Sequence, residues 1–578
     1  MKYQWDLKEL FPSDDVFFDE IKKIRKELET FLEPPMEITK TNITKILKEY
    51  WDIKERCNRV LVYGSLRYYK NVKDEMCIQM KREGEALQNE VNTKLMDIDR
   101  LILALGKEMV FDWIYENSEL EIYQLFLDNL FRKEKHIPDE KNSLEIKKYQ
   151  EEWNHMKNEY STILQNIDYG TIIVNEENVS LSSANFSKYL SSRDRKVRKD
   201  TYFTVNQEFI KHGSEFASLF DTVFQDKASL AKLEGYSTVL ESALFEENID
   251  SKILDTLIMA VHEAFPLLQK YLKLKAQILE ITDPHLYDFG VPLDFDNKRK
   301  YTIEEGVAII KEALKPLGKQ YLEVVDTLLQ GHIDAELSEE KHQSITFSWN
   351  SYSFLNFHGA YGDLKNLVHE LGHSVNDYLS YKNVPFMYMV STVFVGETSS
   401  IVNEILLNRY LYQKAETKEE KIYYLSKEIE NYVTSVFKQT MYTEFERELH
   451  KLRKNGPFTQ EILSETFLKL VQTYYGEDIC YDDVSSIEWT RLGHLIRHSY
   501  YSYTYATGLL MASVVVHSLV DAQTLTKEDY IKFLASGSSM YSLPLLETIG
   551  VDMTNSTVME QGFHILEEDI LKLERLLK

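Results

Sequence analysis

The chain has 578 residues and a formal net charge of −26, from 67 Lys and Arg against 93 Asp and Glu. Hydrophobic residues make up 43% of it, which is enough for a packed core and excludes a disordered chain. The acidic charge disfavours nucleic acid as a partner, because binding nucleic acid needs a basic surface. Only 21 Gly and 11 Pro occur, so the composition favours a mostly helical fold over a sandwich or barrel of short strands.

The first 165 residues predict long amphipathic helices, because apolar residues recur at spacings of three and four. Residues 168–190 contain a β-branched run and an Asn-containing turn, which predict a small strand pair or an ordered loop. Helical patterning resumes at residue 191 and continues to the end, interrupted by a loop at 285–295 and a strand-like stretch at 345–360. No flexible linker is evident, so we expect tightly packed lobes.

Three cysteines, Cys57, Cys77 and Cys480, are too few for a disulfide framework, and their spacing does not match a zinc knuckle. We therefore expect reduced thiols in a cytoplasmic protein. The N-terminal residues lack the continuous apolar region of a secretory signal. The most apolar stretch, at 505–520, is interrupted by polar residues and is too short to span a bilayer, which predicts a buried helix and no membrane association.

A candidate metal-binding motif lies in the segment LVHELGHSVNDYL at 367–379. His369, Glu370 and His373 form H-E-x-x-H, in which two His four residues apart on a helix can reach the same metal ion. Glu370 stands beside them, where its carboxylate can take a proton from a water that the metal activates. Apolar residues fall on the opposite face, so we expect the motif to face a cleft while the other side of the helix packs.

A third protein ligand is expected, since catalytic zinc usually has three protein ligands and one water. Downstream, the segment VFVGETSSIVNEILLNRY has Glu397 and Glu404 seven residues apart, which places both on nearly the same face of a helix. A Glu on this second helix could complete a His, His, Glu site. The GETSS stretch is poor in charge, so an unpaired buried carboxylate there would be costly, and a metal ion would remove that cost.

With these motifs, the sequence resembles oligoendopeptidase F, within the thimet oligopeptidase family of zinc metallopeptidases. HELGHS matches the family's H-E-[LF]-G-H segment, and FVGETSS followed by NE resembles the segment that carries the family's third zinc ligand. The likeness extends to WDLKELFPSDD near the N-terminus, DRKVR at 194–198, LEGYSTVLES at 233–242 and the YDFGVPL stretch, and so covers nearly the whole chain. It implies a large, mostly α body around a deep substrate channel, with small β elements near the active site. It also implies an N-terminal helical domain at 1–190 and a catalytic domain at 191–578.

The same resemblance assigns roles to the motif residues. It implies one Zn²⁺ per chain, with His369, His373 and Glu397 as its ligands and Glu370 as the general base. Glu404 is then expected to orient one of the His ligands by a hydrogen bond.

A tyrosine-rich segment, WTRLGHLIRHSYYSYTYATG at 489–508, resembles the family's loop whose His and Tyr residues contact substrate and the developing oxyanion. The alternation of Tyr501, Tyr503 and Tyr505 predicts an irregular loop that displays hydroxyls, and the alternative is a Tyr-rich packing helix. Peptide hydrolysis generates an oxyanion that needs a hydrogen-bond donor. We expect Tyr505 first, then Tyr501 and Tyr503, to donate, and either His494 or His498 to take the role of the family's His.

Just before the zinc helix, FLNFHGAYGDL resembles the family's segment that lines the substrate cleft. An extended peptide can pair with a strand edge by main-chain hydrogen bonds, and Gly359 would permit close backbone approach. We therefore expect Asn356 and Gly359 to bind substrate, and His358 to make only a local contact. Asn376 stands where the family often has an extra His that is not a required ligand.

Together these observations predict a cytoplasmic zinc endopeptidase that cleaves short, unfolded oligopeptides and binds neither nucleic acid nor membrane. Zinc would polarise the carbonyl, and Glu370 would deprotonate the attacking water and pass the proton to the leaving amine. One alternative is a zinc-dependent exopeptidase, for which the sequence offers no terminus anchor. Another is a non-catalytic peptide-binding protein with a relict metal site, which the intact Glu370 disfavours. The oligomeric state and the preferred peptide bond are left open.

Overall fold

The structure, a computed structural model, describes residues 3–31, 37–293, 299–343 and 345–578. The first twelve helices are α1 (Asp14–Phe31), α2 (Ile43–Lys70), α3 (Glu75–Leu105), α4 (Lys107–Glu116), α5 (Gln124–Lys133), α6 (Glu140–Asn166), α7 (Phe186–Leu190), α8 (Arg195–Lys211), α9 (Gly213–Leu233), α10 (Val239–Phe245), α11 (Lys252–Glu263) and α12 (Phe265–Ile278). The remaining helices are α13 (Ile303–Ala313), α14 (Lys319–Leu328), α15 (Tyr361–Asn383), α16 (Val393–Lys414), α17 (Lys418–Asn431), α18 (Lys438–Arg453), α19 (Gln460–Tyr475), α20 (Gly493–Arg497), α21 (Tyr503–Val516), α22 (Lys527–Ala535), α23 (Ser542–Glu547) and α24 (Thr557–Leu577). The prediction of a mostly α fold is confirmed.

Short helical turns connect several of these helices. Turns of 3₁₀-helix lie at Leu7–Glu9, Ser118–Tyr123, Glu134–His136, Leu286–Asp288, Lys315–Leu317, Phe386–Tyr388 and Asp483–Arg491. Turns of π-helix lie at Tyr432–Phe437 and His517–Asp521. A π-turn adds one residue to the hydrogen-bonded ring and so displaces the side chains that follow it.

The structure has two small sheets, and all of their strands except the one at 333–334 lie where the sequence predicts strands. β1 (Thr171–Val174) pairs antiparallel with β2 (Glu177–Ser180) through a turn at Asn175 and Glu176, both with positive φ. The second sheet has the order β3-β5-β4, in which β3 (Ile333–Asp334) runs parallel to β5 (Tyr352–Phe354), and β4 (Phe347–Trp349) runs antiparallel to it. β4 is thus an edge strand. The predicted loop at 285–295 includes a 3₁₀ turn, and its residues 294 and 295 lie outside the described residues.

The chain folds into two compact units, each built from three separate stretches. The first unit comprises residues 1–137, 298–407 and 516–550, and the second comprises residues 138–297, 408–515 and 551–578. These units divide the chain differently from the boundary at residue 190, which stays a prediction about domain type. In the first unit the apolar stripe of α2 is buried, including Ile43, Leu47 and Tyr50, as the three-and-four spacing predicts.

Among the described residues, one helical stretch, Tyr503–Asp521, is long and apolar enough to cross a membrane by length and composition. Most of its surface is buried inside the protein, which matches the prediction of a core helix. The three cysteines are free thiols, with Cys57 and Cys77 buried and Cys480 exposed.

Candidate metal centre

Helix α15 carries the H-E-x-x-H motif in the first unit. Its first turn is capped by Asp363, whose Oδ2 accepts hydrogen bonds from the backbone N–H of Ala360 at 2.9 Å and of His358 at 3.1 Å. His358 makes this local contact through its backbone, and the role expected for its imidazole stays a prediction. The apolar face is fully buried, as predicted, and consists of Leu364, Leu367, Val368, Leu371 and Val375.

The other elements of the first unit fix the orientation of α15. A Cβ at Gly372 would lie 2.5 Å from the Cα of Ser400, so only glycine allows α15 and α16 to approach this closely. On the sheet side, the Ser374 hydroxyl hydrogen-bonds to the hydroxyls of Ser348 at 2.8 Å and Ser353 at 2.7 Å. These contacts hold the motif between α16 and the β4–β5 hairpin.

Asn376 has a structural role. Its Nδ2 donates to the Leu534 carbonyl at 2.7 Å, and its Oδ1 accepts from the Ser391 hydroxyl at 2.8 Å. It therefore ties α15 to α22 and to the chain segment that leads into α16.

Three side chains from the two helices converge on one point. The Nε2 atoms of His369 and His373 are 3.2 Å apart, and Glu397 Oε2 lies 3.6 Å from the first and 3.8 Å from the second. All three ligand atoms lie within 4.8 Å of one another. A tetrahedral zinc ion with nitrogen and oxygen ligands at about 2.0–2.1 Å separates neighbouring ligand atoms by about 3.3 Å. The observed spacings therefore fit a zinc ion, and the donor set of two imidazoles and a carboxylate matches zinc chemistry.

Glu404 also lies beside this cluster, as its position seven residues after Glu397 predicts. Its Oε1 is 2.6 Å from His369 Nδ1, and its Oε2 is 3.0 Å from Lys365 Nζ. The hydrogen bond with Glu404 places the proton of His369 on Nδ1 and so leaves Nε2 as the metal-facing atom. Lys365 was missed from the sequence, although it precedes His369 by four residues and therefore lies on the same helix face.

Burial and mutual charge perturb these groups strongly. Burial disfavours the charged form of His369, but Glu404, Glu370 and Glu397 outweigh it and raise the pKa of His369 to about 9. Burial, reinforced by the charge of His369, lowers the pKa of His373 to about 3. Burial opposes ionisation of Glu404, yet Lys365 and His369 overcome it and lower the pKa of Glu404. Without a metal ion, these shifts favour a charged His369, which must release its Nε2 proton to bind a metal, and a neutral His373.

Glu370 lies next to the cluster and is 7% exposed. Burial raises its pKa to about 7; His369 opposes the rise, and Glu397 and Glu404 add to it. Its buried Oε2 has no hydrogen-bond partner in the described part of the chain. A carboxylate oxygen without a partner and with a pKa near neutrality has the properties of a general base that exchanges a proton with a bound molecule.

The predicted His and Tyr residues near the C-terminus lie in the second unit. His494 on α20 and His498 just after it are both exposed. Helix α21 begins at Tyr503, so the predicted irregular loop is wrong for Tyr503 and Tyr505, and only Tyr501 lies in an irregular segment. Tyr501 and Tyr505 are four residues apart with ring centroids at 5.4 Å, and the Tyr505 ring lies 6.2 Å from that of His494. Tyr503 is 3% exposed, whereas Tyr501 and Tyr505 are half-buried.

A buried ion pair anchors this segment within the second unit. Lys227, 2% exposed through its side chain, donates to the Leu495 carbonyl at 2.7 Å and to the His498 carbonyl. Glu446 lies 3.9 Å from Lys227 and accepts the Tyr500 backbone N–H with both oxygens, at 3.0 and 3.1 Å. The two charges thus hold the backbone on both sides of His498.

The predicted substrate segment precedes α15 in the first unit. Asn356 Nδ2 donates to the His342 carbonyl at 3.0 Å. Gly359 has φ +84°, and a Cβ there would lie 2.5 Å from the Tyr301 carbonyl oxygen, so the chain's own backbone already requires glycine at this position. Their roles in substrate binding stay predictions.

Comparison with known proteins agrees with this site. The sequence pattern of peptidase family M3 matches residues 188–565. Because that match covers more than half of the chain, the protein belongs to peptidase family M3 and is a peptidase.

Relatives within that family confirm the resemblance to oligoendopeptidase F. Oligopeptidase PepF of Bacillus subtilis is 27% identical over 99% of this chain and 87% of its own length. The chromosomal oligoendopeptidase F of Lactococcus lactis subsp. cremoris is 28% identical over 99% of this chain and 97% of its own length. The crystal structure of a peptidase from Chlamydophila abortus superposes with a TM-score of 0.88 at 26% identity and covers 99% of this chain and 98% of its own.

Proposed function

We propose that the protein is a zinc metalloendopeptidase that hydrolyses internal bonds of short, unfolded oligopeptides. The observation that carries the proposal is the convergence of His369 Nε2, His373 Nε2 and Glu397 Oε2 at spacings of 3.2 to 3.8 Å. Membership of a peptidase family and relatives named oligopeptidase and oligoendopeptidase F support it. With only free thiols in the chain, we place the enzyme in the cytoplasm.

His369, His373 and Glu397 would hold one zinc ion per chain, and Glu404 would fix the orientation of His369. Zinc, when bound, supplies a Lewis acid that activates water and polarises the scissile carbonyl. The Glu370 carboxylate takes a proton from the attacking water and then donates it to the leaving amine. A pKa near 7 suits this residue to both steps, since it can accept and release a proton at neutral pH.

The developing oxyanion requires donors, and the C-terminal segment offers candidates. Tyr505 leads, because it is half-buried and its ring lies beside those of Tyr501 and the exposed His494, whereas Tyr503 is buried. His494 and His498 are both exposed, so both are candidates for the histidine donor. Peptide substrate would pair with edge strand β4, whose hairpin partner β5 leads through Asn356 and Gly359 into α15.

The proposal is tested with Glu370→Gln and with blocked peptides. The variant is expected to retain one zinc per chain and to lose about 10²- to 10⁴-fold in turnover, the usual contribution of a positioned general acid–base. Wild-type enzyme is expected to cut N-acetylated, C-amidated peptides and to leave folded proteins intact. The expected peptide length is roughly 6 to 20 residues, a range implied by the resemblance to oligoendopeptidase F together with an extended-chain reach of about 3.3 Å per residue.

Each result separates the proposal from its alternatives. If Glu370→Gln turns over within tenfold of the wild type, Glu370 is not the base. If blocked peptides are inert while free ones are cut, the enzyme is an exopeptidase. If zinc-loaded wild-type protein binds peptides without cutting them, the site is a relict.

A further inference from the structure

The second unit contains a cavity that the proposed peptidase mechanism does not use. Its volume is about 380 Å³, within the range of about 300–1,000 Å³ that small-molecule sites have. Most of its wall is apolar and includes Phe186, Leu190, Val205, Met441 and Val471. None of the candidate metal ligands or oxyanion donors lines it.

The polar part of the wall has hydroxyl groups from threonine and tyrosine residues and, in addition, the side chains of Asn206, Lys438, Glu488 and Arg491. Lys438 Nζ donates to Glu488 Oε1 at 2.6 Å, and the Tyr442 hydroxyl donates to the same atom at 3.1 Å. About a third of the side-chain surface of Lys438 is nevertheless accessible, so its remaining N–H groups can reach a ligand. Since Glu488 is the one acidic residue of the lining, Lys438 and Arg491 leave the cavity with a net charge of +1.

Arg491 and Asn206 form the second polar group of the wall. The Arg491 guanidinium donates to Asn206 Oδ1 at 2.8 Å and lies over the Phe209 ring at 4.9 Å. Its charge acts on Glu488, because burial opposes ionisation of that carboxyl, but Lys438 and then Arg491 outweigh burial and lower the pKa of Glu488 to about 2. Asn206 is 2% exposed, and its Nδ2 has no hydrogen-bond partner among the described residues. A buried amide donor without a partner is costly unless a ligand or water satisfies it.

The backbone beside Lys438 is also specialised. The π-helical turn Tyr432–Phe437 ends immediately before Lys438, and two of its residues, Val433 and Thr434, line the cavity. Such turns interrupt an α-helix at an energetic cost and are frequent at functional sites. Here the π-helical turn shifts the helical phase of α18 relative to that of α17, and Lys438 then lies in the cavity wall.

We propose that this cavity binds a small monocarboxylate with an apolar body. The carboxylate would accept hydrogen bonds from the planar guanidinium of Arg491 and from Asn206 Nδ2, the geometry in which Arg recognises carboxylates best. The apolar body would lie against Val205, Met441 and Val471. A net charge of +1 matches one carboxylate, whereas a dianion would remain uncompensated.

The probe is 3-phenylpropanoate, and its binding to full-length, zinc-loaded protein is measured by isothermal titration calorimetry. Its neutral isostere 3-phenylpropanamide and inorganic phosphate are titrated in parallel. We expect one molecule of 3-phenylpropanoate per chain, with the amide and phosphate at least tenfold weaker. Losing a hydrogen bond to a charged group costs about 10- to 100-fold in affinity, which is the decrease expected for Arg491→Lys.

Two further variants keep the test decisive if Arg491→Lys folds poorly. Asn206→Asp is isosteric and places a carboxylate beside Arg491, so it should abolish binding by neutralising the guanidinium. Val433→Phe fills the cavity from a half-buried position and should also abolish binding. Unchanged thermal unfolding shows that each variant is folded.

The catalytic zinc ion could itself bind a carboxylate, so His369→Ala is the control for location. Binding that persists in His369→Ala and is lost in Asn206→Asp supports the cavity. Binding that is lost in His369→Ala and persists in Asn206→Asp places the probe at the metal and overturns the proposal. Equal affinity for phosphate, or no heat above dilution at millimolar probe, overturns it as well.

Discussion

Replacing Glu404 with Gln tests how the metal centre is organised. In the wild type, His369 Nδ1 lies 2.6 Å from Glu404 Oε1. The substitution keeps an oxygen that can accept this hydrogen bond, but it removes the negative charge that His369 and Lys365 both contact. Without that charge the imidazole is a weaker ligand, and Lys365 loses its ion pair with Glu404. Partners that orient a metal-binding His are typically worth about 10- to 100-fold in metal affinity, or about 1.4 to 2.7 kcal/mol.

The assay is competition for zinc against a chromophoric chelator at fixed pH, with kcat/KM measured at saturating zinc. Glu404→Gln should raise the Kd for zinc by about 10- to 100-fold. Much of its activity should return when zinc is supplied in excess, since the ligands themselves are intact.

Glu430→Gln is the matched control. Glu430 accepts from Lys275 at 2.6 Å and from Lys427 at 3.0 Å, so it is a half-buried carboxylate between two cations like Glu404, but it lies in the second unit. It should lose stability without losing zinc. If the two variants bind zinc equally well, within a factor of about two, Glu404 does not orient His369 and the role assigned to it is wrong.

Three further predictions concern the donors, their support and pH. Tyr505→Phe should lower kcat by about 10²- to 10³-fold with little change in KM. The control is Tyr503→Phe, a change at a buried residue that should alter neither kcat nor KM. An effect of Tyr505→Phe on KM alone would make Tyr505 a substrate-positioning residue. Lys227→Met should cost about 3–5 kcal/mol of stability, because it removes one partner of a buried ion pair, and it should also lower kcat. The control Lys275→Met should lower stability but leave kcat unchanged. Equal kcat in the two variants would refute the anchoring role of Lys227. With the pKa of His369 raised to about 9, zinc binding to metal-stripped protein should release about one proton at pH 7–8, and affinity should rise about tenfold per pH unit until about pH 9. Calorimetry in buffers of different ionisation enthalpy measures that proton, and a pH-independent affinity would contradict the raised pKa.

The raised pKa of His369 also makes the stability of the metal-stripped protein depend on pH. A raised pKa means that folded His369 binds its proton more tightly than the unfolded chain does. Its contribution to stability is fully present below the unfolded pKa of about 6.5 and is lost as the pH rises through about 9. Thermal unfolding of stripped protein between pH 7 and 9 should therefore show decreasing stability, which bound zinc should offset.

The local features of the metal centre could be predicted from the sequence. The four-residue spacing of His369 and His373, and the seven-residue spacing of Glu397 and Glu404, are helical periods, so a helix alone brings each pair to one face. The small numbers of Gly and Pro residues also predicted the mostly helical fold class. The β-branched run at 171–174 predicted its strand.

Features that depend on distant contacts could not be predicted. Lys227 and Glu446 are 219 residues apart and meet the His494–Tyr500 backbone only in the folded second unit. Gly359 was interpreted as a site of substrate approach, but its nearest neighbour is the Tyr301 carbonyl oxygen, 58 residues earlier in the chain. The alternation of tyrosines at 501–505 was interpreted as an irregular loop, although Ser502, a residue type favoured at N-caps, directly precedes the helix start at Tyr503.

The central claim is that two imidazoles and the Glu397 carboxylate bind a catalytic zinc ion. A crystal of the zinc-loaded protein, with anomalous diffraction recorded on both sides of the zinc absorption edge, tests it most directly. We expect one anomalous peak per chain, about 2.0–2.2 Å from His369 Nε2, His373 Nε2 and a Glu397 carboxylate oxygen, with Glu404 hydrogen-bonded to His369 Nδ1. A peak coordinated by Glu404 instead of Glu397, or no peak at this cluster in active protein, would contradict the claim.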